Sequence, residues 1–209
     1  MSVSALTTTE DGPRSKRPSI LAAAVTRFGE VGYEATKWSE IADTVGIGQT
    51  ALYHYFESKA HCLFTVMRIG LAQAEQRFTE AVESESTPTE QFRAAVRAAY
   101  GGDEHEALQS RILQFNIGLL AAPRSSEREE AERQACRELI RRVEQNWREL
   151  LTRGMDADEF PRRDPLLLAR LVLGTIVSVW RWHRPGGPAP LSEIAGFVEG
   201  CCTRMVLGH

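Results

Sequence analysis

The chain has 209 residues, enough for one large domain or a small module joined to a larger one. Hydrophobic residues make up 43% and charged residues 25%, proportions that suit a protein with a buried core, and no apolar run approaches the ~20 residues of a membrane span. The net charge of −3 excludes recognition of nucleic acid through a global positive field, so any such contact has to be local.

The apolar pattern is helical almost throughout, with spacings of three and four and no sustained alternation. Residues 1–16, rich in Ser, Thr and charge, read as a flexible arm that ends in Arg14, Lys16 and Arg17. They hold no apolar signal-peptide core, so the expectation is a cytoplasmic protein with Cys62, Cys136, Cys201 and Cys202 reduced. A first helix is predicted over about residues 18–31, burying Ile20, Leu21, Ala24, Phe28 and Val31 and stopped by Gly32. A second covers about 38–45 and ends at Gly46, which supplies a left-handed residue. A third spans about 48–56. Ser58 then caps a long fourth helix with a stripe of Leu63, Phe64, Met67, Leu71, Ala74 and Phe78.

Thr87-Pro88-Thr89-Glu90 is a capping box with proline at the first helical position. That helix ends near Tyr100-Gly101-Gly102. Asp103 and Glu106 open the next segment, which runs to Ala122 with room for a break. Ser126 and Glu129 are a second capping pair, before a helix that reaches about Gly154 with Leu139, Val143, Trp147 and Leu150 buried. Glu129–Arg133, Glu138–Arg142, Glu144–Arg148 and Glu149–Arg153 stand four apart, worth ~0.2–0.5 kcal/mol each, and describe a solvated face. Asp164-Pro165 starts a strongly apolar helix to about His183, Pro185-Gly186-Gly187-Pro188 turns, and Pro190 opens the last helix.

The chemistry concentrates near the front. Two short helices separated by Gly46-Ile47, under a preceding helix, form a helix-turn-helix pattern, with Ala42 small at the crossing. The third helix has an apolar side (Leu52, Phe56) and an uncharged polar side (Gln49, Thr50, Tyr53, His54). Amide, hydroxyl and aromatic groups can donate to phosphates and meet base edges. Ser58-Lys59 adds a cation at a helix N-terminus, a ready phosphate site. The bland alternative is a helical hairpin that only packs, with Tyr53, Tyr55 and Phe56 as core.

Over residues 17–63 the sequence resembles the TetR family of one-component regulators. The match is carried by Arg17, Ile20-Leu21, Ala24, Phe28, Gly32-Tyr33, Thr36, Ile41-Ala42, Val45-Gly46-Ile47, Leu52-Tyr53-His54-Tyr55-Phe56, Ser58-Lys59 and Leu63. The resemblance implies an all-α protein: an N-terminal three-helix helix-turn-helix domain plus a C-terminal helical-bundle domain for ligand binding and dimerisation. It places the arm at 1–16, the DNA-binding domain at 17–63 with its fourth helix continuing to about 83, and the effector and dimerisation domain at 84–209. It further implies a third helix in the major groove, Tyr53 and His54 on backbone phosphates and Gln49 and Thr50 near bases or phosphates. Lys59 would clamp a phosphate, and Thr36, Lys37 and Trp38 would touch the backbone. This sequence departs from the family pattern at Gly48 (usually a Ser cap), Lys37 (commonly Thr), His61 (usually Glu) and Cys62 (usually Leu). Residues 14–61 carry six cations against five anions, a net +1, so affinity is expected to need a dimer.

Similarity to the family's last two helices runs through Asp164–Leu171, Gly174, residues 182–187, Ile194 and Phe197, and implies a four-helix dimer interface. Leu167, Leu171, Gly174, Val177, Phe197, Cys201 and Met205 are its candidate residues. The effector candidates are Arg111, Gln114, Phe115, Asn116, Trp147, Trp180, Arg181 and His183. Arg111 stands out as a cation within an otherwise apolar helix, suited to a carboxylate or phosphate. Residues 180–184 read either as a site for an anionic or aromatic effector, such as an acyl-CoA thioester, or as a helix end where cations suit the dipole. The cysteines lack CxxC spacing and no catalytic motif is present, so no metal, no cofactor and no enzyme activity are expected. The expected function is a homodimeric repressor on a near-palindromic operator, released by a small apolar or amphipathic effector, with no membrane partner. The alternatives are a small-molecule-binding helical protein without DNA function, and a regulator switched by oxidation of Cys201-Cys202.

Overall fold

The computed structural model describes residues 13–184 and 186–208 and, among them, is helical without strands. The helices are α1 (Pro13–Glu30), α2 (Trp38–Val45), α3 (Gln49–Tyr55), α4 (Lys59–Glu83), α5 (Pro88–Ala98) and α6 (Glu104–Asn116). A 3₁₀ turn (Ile117–Leu120) follows, then α7 (Glu127–Asp156), α8 (Pro165–Trp182) and α9 (Leu191–Leu207). Residues 1–12 of the expected arm, and Pro185 of the expected turn, lie outside the described residues. α1 starts at Pro13 and not near residue 18, so Arg14, Lys16 and Arg17 belong to a helix that contains Pro18. The fixed φ of proline is helical, and near the start of α1 Pro18 removes the one N–H that would donate to residue 14. Val31, expected in the core, is 47% exposed because the helix has already ended at Glu30.

Helix starts follow local chemistry. Ser58, Thr87, Asp103, Ser126 and Asp164 each accept a backbone N–H from the first turn of α4 to α8, respectively. Thr87/Glu90 and Asp103/Glu106 complete capping boxes. Gly32 (φ 100°) and Gly46 (φ 70°) turn the chain where a side chain would be strained.

Two packed clusters form the interior. The first joins α1 to α4 through Ile20, Phe28, Ile41, Leu52, Phe56 and Leu63, and extends to Ile112, Leu120, Cys136 and Leu139. The second joins α5, the end of α7, α8 and α9 through Phe92, Trp147, Leu151, Val172, Ile176 and Val198. α4 packs against α1, α5, α6 and α7, which makes it the element shared by the front and the back of the molecule.

α8 exceeds the sequence expectation. Its 18 residues reach the length and hydropathy (mean 1.3) of a membrane-crossing helix. It packs on α6, α7 and α9, and its apolar surplus is an outward face of Leu167 (59% exposed) and Leu171 (52%).

The i,i+4 pairs expected along α7 give way to other partners. Glu130 and Glu138 pair with Arg133 and Arg141 at i+3, Arg142 reaches Glu75 on α4, and Glu144 binds Arg170 on α8. Arg133 is buried, donating to the carbonyl of Leu120 and holding the Glu130 carboxyl down to about 2. Where α7 faces α4 and α8 its long side chains reach tertiary partners, and elsewhere an i,i+3 pair takes the place of the i,i+4 one.

Candidate nucleic-acid interface and effector cavity

α2 and α3 meet across Gly46-Ile47, with Ala42 buried at the crossing and the N–H of Ile47 donating to its carbonyl. Leu52 and Phe56 seat α3 on the head core, while Gln49, Thr50, Tyr53 (49% exposed) and His54 face outward. A groove beside this face is lined by Thr36, Lys37, Trp38, Ser39, Gln49 and Tyr53, with Glu34, Ser58 and Lys59 at its edge. Lys37 and Gly48, the residues preceding α2 and α3, place no side-chain oxygen on the helix starts. Both helices therefore present unsatisfied N–H groups at the positive ends of their dipoles.

The structure redistributes the roles of three expected contacts. Thr36 is buried, its hydroxyl donating to the carbonyls of Gly32 (2.8 Å) and Arg27 (3.3 Å), so its side chain builds the α1–α2 loop. Trp38 is buried against Phe56, edge to face at 6.5 Å, and its indole belongs to the head core. Lys59, expected as a phosphate clamp, donates its ammonium to the carbonyls of Tyr33, Glu34 and Thr36. Lys37, Gln49, Thr50, Tyr53 and His54 remain exposed.

At the opposite corner the head is bolted to the bundle. Ser58, the cap of α4, donates its hydroxyl to the Glu129 carboxylate of α7, and Ser126, the cap of α7, donates to Glu57. Each serine thus caps its own helix and binds a carboxylate from the other side. His61 stands where a capping-box glutamate is usual. Its Nδ1 accepts the N–H of Glu57 at 3.3 Å, one residue before the Ser58 cap whose N–H a capping-box carboxylate would take, so a neutral imidazole ties down the approach to α4.

Behind the head, a cavity of about 120 Å³ lies between α4, α5, α6, α7 and α8. Its wall is nearly all apolar: Leu71, Phe78, Val143, Leu173, Ile176 and Val177 among others, with Arg77, Ser110 and Gln114 the polar groups. Of the effector candidates, Gln114, Trp147 and Trp180 line it. Arg111, Phe115, Asn116, Arg181 and His183 do not. Arg111 donates to the carbonyl of His183 (3.1 Å) and stacks over Phe115, so it ties α6 to the end of α8. Phe115 is 58% exposed, and Arg181 faces outward from the last turn of α8. Sequence reasoning assigned the α4 stripe Leu71, Ala74, Phe78 to plain core. The missed signal was the run of small residues facing it, Ala95, Ala99 and Ser110, which leaves the space unfilled.

Among the dimer candidates, Leu167, Leu171, Gly174 and Phe197 (73% exposed) form an outward surface on α8 and α9. Val177 instead lines the cavity, and Met205 packs against the bundle core, because their helices rotate these positions inward. Cys201 is half-buried. Cys202 is buried with its thiol pushed up by burial to about 11, and Cys62 and Cys136 are buried thiols raised in the same way. A raised thiol is a poor nucleophile, so vicinal position alone does not make Cys201-Cys202 a redox pair.

Comparison with known proteins bears on this geometry directly. Residues 85–206 match the family described as "Tetracyclin repressor-like, C-terminal domain", and residues 20–66 match "Bacterial regulatory proteins, tetR family". The chain belongs to the TetR family of transcriptional regulators. It is therefore not an enzyme by family. The HTH-type transcriptional repressor KstR2 of Mycolicibacterium smegmatis is 28% identical over 187 residues, covering 89% of this chain and 88% of the relative. The structure of the ketosteroid transcriptional regulator KstR2 of Mycobacterium tuberculosis superposes with a TM-score of 0.78 at 27% identity, covering 92% and 95%. AibR in complex with isovaleryl coenzyme A and operator DNA shares the fold (TM-score 0.73, 20% identity, 92% and 98% covered).

Proposed function

We propose that this TetR-family regulator is a cytoplasmic homodimeric repressor of a near-palindromic operator, and that a small apolar or amphipathic effector releases it. In this reading residues 17–63 are the DNA-binding domain and residues 84–209 the effector and dimerisation domain. The observation that carries it is the course of α4. Its first half (Leu63, Phe64, Met67) is core to the head, and its second half (Leu71, Ala74, Phe78) is one wall of the cavity. A molecule in the cavity and a phosphate at the head act on one rigid element.

The size of the cavity supports a mechanism. An apolar void of ~150 Å³ accepts a molecule the size of benzene, so 120 Å³ holds an alkyl or ring fragment and little more. A larger acyl or polycyclic body enters only if α4, α6 and α8 move apart. Such an effector binds the widened state more tightly and draws the population toward it. An acyl-CoA thioester fits this reading, its acyl part in the cavity beside Gln114 and its anionic part outside. The exposed face of Leu167, Leu171, Gly174 and Phe197 is the proposed dimer surface. Pairing two heads of net +1 supplies affinity neither has alone, with half-sites ~34–36 Å apart.

The test is a gel shift of the full-length protein with DNA from upstream of its own gene, followed by titration with acyl-CoA thioesters of increasing chain length. Sequence-specific retardation relieved by one part of the series is the expected result. No retardation at low salt overturns the repressor reading and leaves a helical ligand-binding protein.

A further inference from the structure

Lys59 is the first residue of α4 and stands at the edge of the groove below Tyr53, where a cation is naturally assigned to a phosphate. Its ammonium turns the other way. Nζ lies 2.8 Å from the carbonyl oxygen of Tyr33, 2.9 Å from that of Thr36 and 3.4 Å from that of Glu34. It also sits 4.4 Å from the centre of the Tyr33 ring. An ammonium has three N–H donors, and three carbonyls of one loop engage them.

The peptide geometry gives this a consequence for the groove. A peptide unit is planar and trans, so a carbonyl drawn inward turns the N–H of the following residue outward. Lys59 thereby faces the N–H groups of Glu34, Ala35 and Lys37 away from itself. The last of these leads into the start of α2, where, among the described residues, the N–H groups of Lys37, Trp38 and Ser39 donate no hydrogen bond. The far side of the loop is pinned independently, by Thr36 to Gly32 and Arg27, and by the Arg27–Glu40 ion pair between α1 and α2. Lys59 adds the tie from α4.

Resting on the reading that the head binds DNA, we infer that Lys59 is a positioning residue for operator binding. It holds loop 33–37 so that the uncapped start of α2 meets a backbone phosphate, and it does not itself contact the DNA. The chemistry separates this role from a phosphate clamp in two ways. A residue on a phosphate contributes about 0.9 to the slope of log K against log salt, and its loss lowers the slope by that amount in each head. An arginine can replace a lysine on a phosphate, but its planar fork cannot converge on three carbonyls around one point.

The experiment measures operator binding of full-length wild type, Lys59→Met and Lys59→Arg across a salt series. Expected are an affinity loss of about tenfold in both variants and a salt slope equal to that of the wild type. A slope lowered by about 0.9 per head, restoration by Lys59→Arg, or undiminished affinity in Lys59→Met each overturns the inference. Nitrogen-detected NMR of the wild-type Lys59 ammonium serves where a variant fails to fold. Couplings across the hydrogen bonds to the Tyr33 and Thr36 carbonyls should be present in the free protein and persist on the operator. Their loss on binding, or their absence in the free protein, overturns it. Wild type that does not bind the operator instead refutes the repressor reading, and the couplings in the free protein still decide whether Lys59 holds the loop.

Discussion

Two helices of the head and four of the bundle treat their starts in opposite ways, Ser58-capped α4 and uncapped α9 standing apart. In the bundle, α5 to α8 begin on Thr87, Asp103, Ser126 and Asp164, each with a side-chain oxygen on a first-turn N–H. In the head, α2 and α3 begin on Lys37 and Gly48 and have no such cap. The polar surfaces differ in the same sense. α7 commits several charges to named partners, while the outward face of α3 is uncharged and, among the described residues, unpaired. A side-chain cap is worth ~1 kcal/mol, so leaving two adjacent starts open costs the free head stability that a phosphate can return. The bundle is finished as it stands, except at its cavity and at its outer α8–α9 face.

The comparison breaks most visibly if the unfinished surface on α8 and α9 is not an interface. Leu171→Arg combined with Phe197→Arg adds charge to two exposed positions and leaves the core intact. Sedimentation should show monomer, and operator affinity should fall by at least a hundredfold, because one head of net +1 releases few counterions. A monomer that keeps its affinity would show that the head suffices alone.

A smaller effect sharpens the contrast at the cavity. Ala74→Leu with Ala99→Leu fills the void from α4 and α5, where both residues line it. Overpacking costs ~1–3 kcal/mol, so the variant should stay folded. Operator affinity is expected within about threefold of wild type, and release by the most effective acyl-CoA should be lost. Normal release would move the effector site away from the cavity.

Legibility in the sequence followed the range of the interactions. The caps at Ser58, Thr87, Asp103, Ser126 and Asp164 were readable because each depends on a residue and its neighbours three positions on. The helix-turn-helix was readable because Ala42, Gly46 and Leu52 act within eleven residues. The cavity was not, since it is a property of five helices together, and an alanine that leaves a void looks like one that packs. Arg111 misled for the same reason: a cation in an apolar helix suggests a ligand until the carbonyl of His183, 72 residues away, is found beneath it. Lys59 and Trp38 show that family position specifies proximity to the groove, while the direction of a side chain depends on the loop across from it.

The smallest effect concerns the joint between the two halves. His61 accepts the Glu57 N–H at Nδ1, and only the neutral ring can accept there. Burial pushes its imidazole below the ordinary histidine value, with Arg128 of α7 and Arg17 of α1 opposing the cation and Glu57 and Glu132 favouring it. The unfolded chain therefore takes up a proton at about pH 6.5 that the folded head resists. More protons bound in the unfolded state mean that stability is full above that value and falls as pH drops through it. Glu130, held near 2 by Arg133, titrates too low to contribute in this window. Wild type should lose thermal stability between about pH 7.5 and about pH 5.5, and His61→Gln, which keeps an acceptor but not the titration, should lose less. Equal losses in the two proteins would place the acid sensitivity elsewhere than at His61.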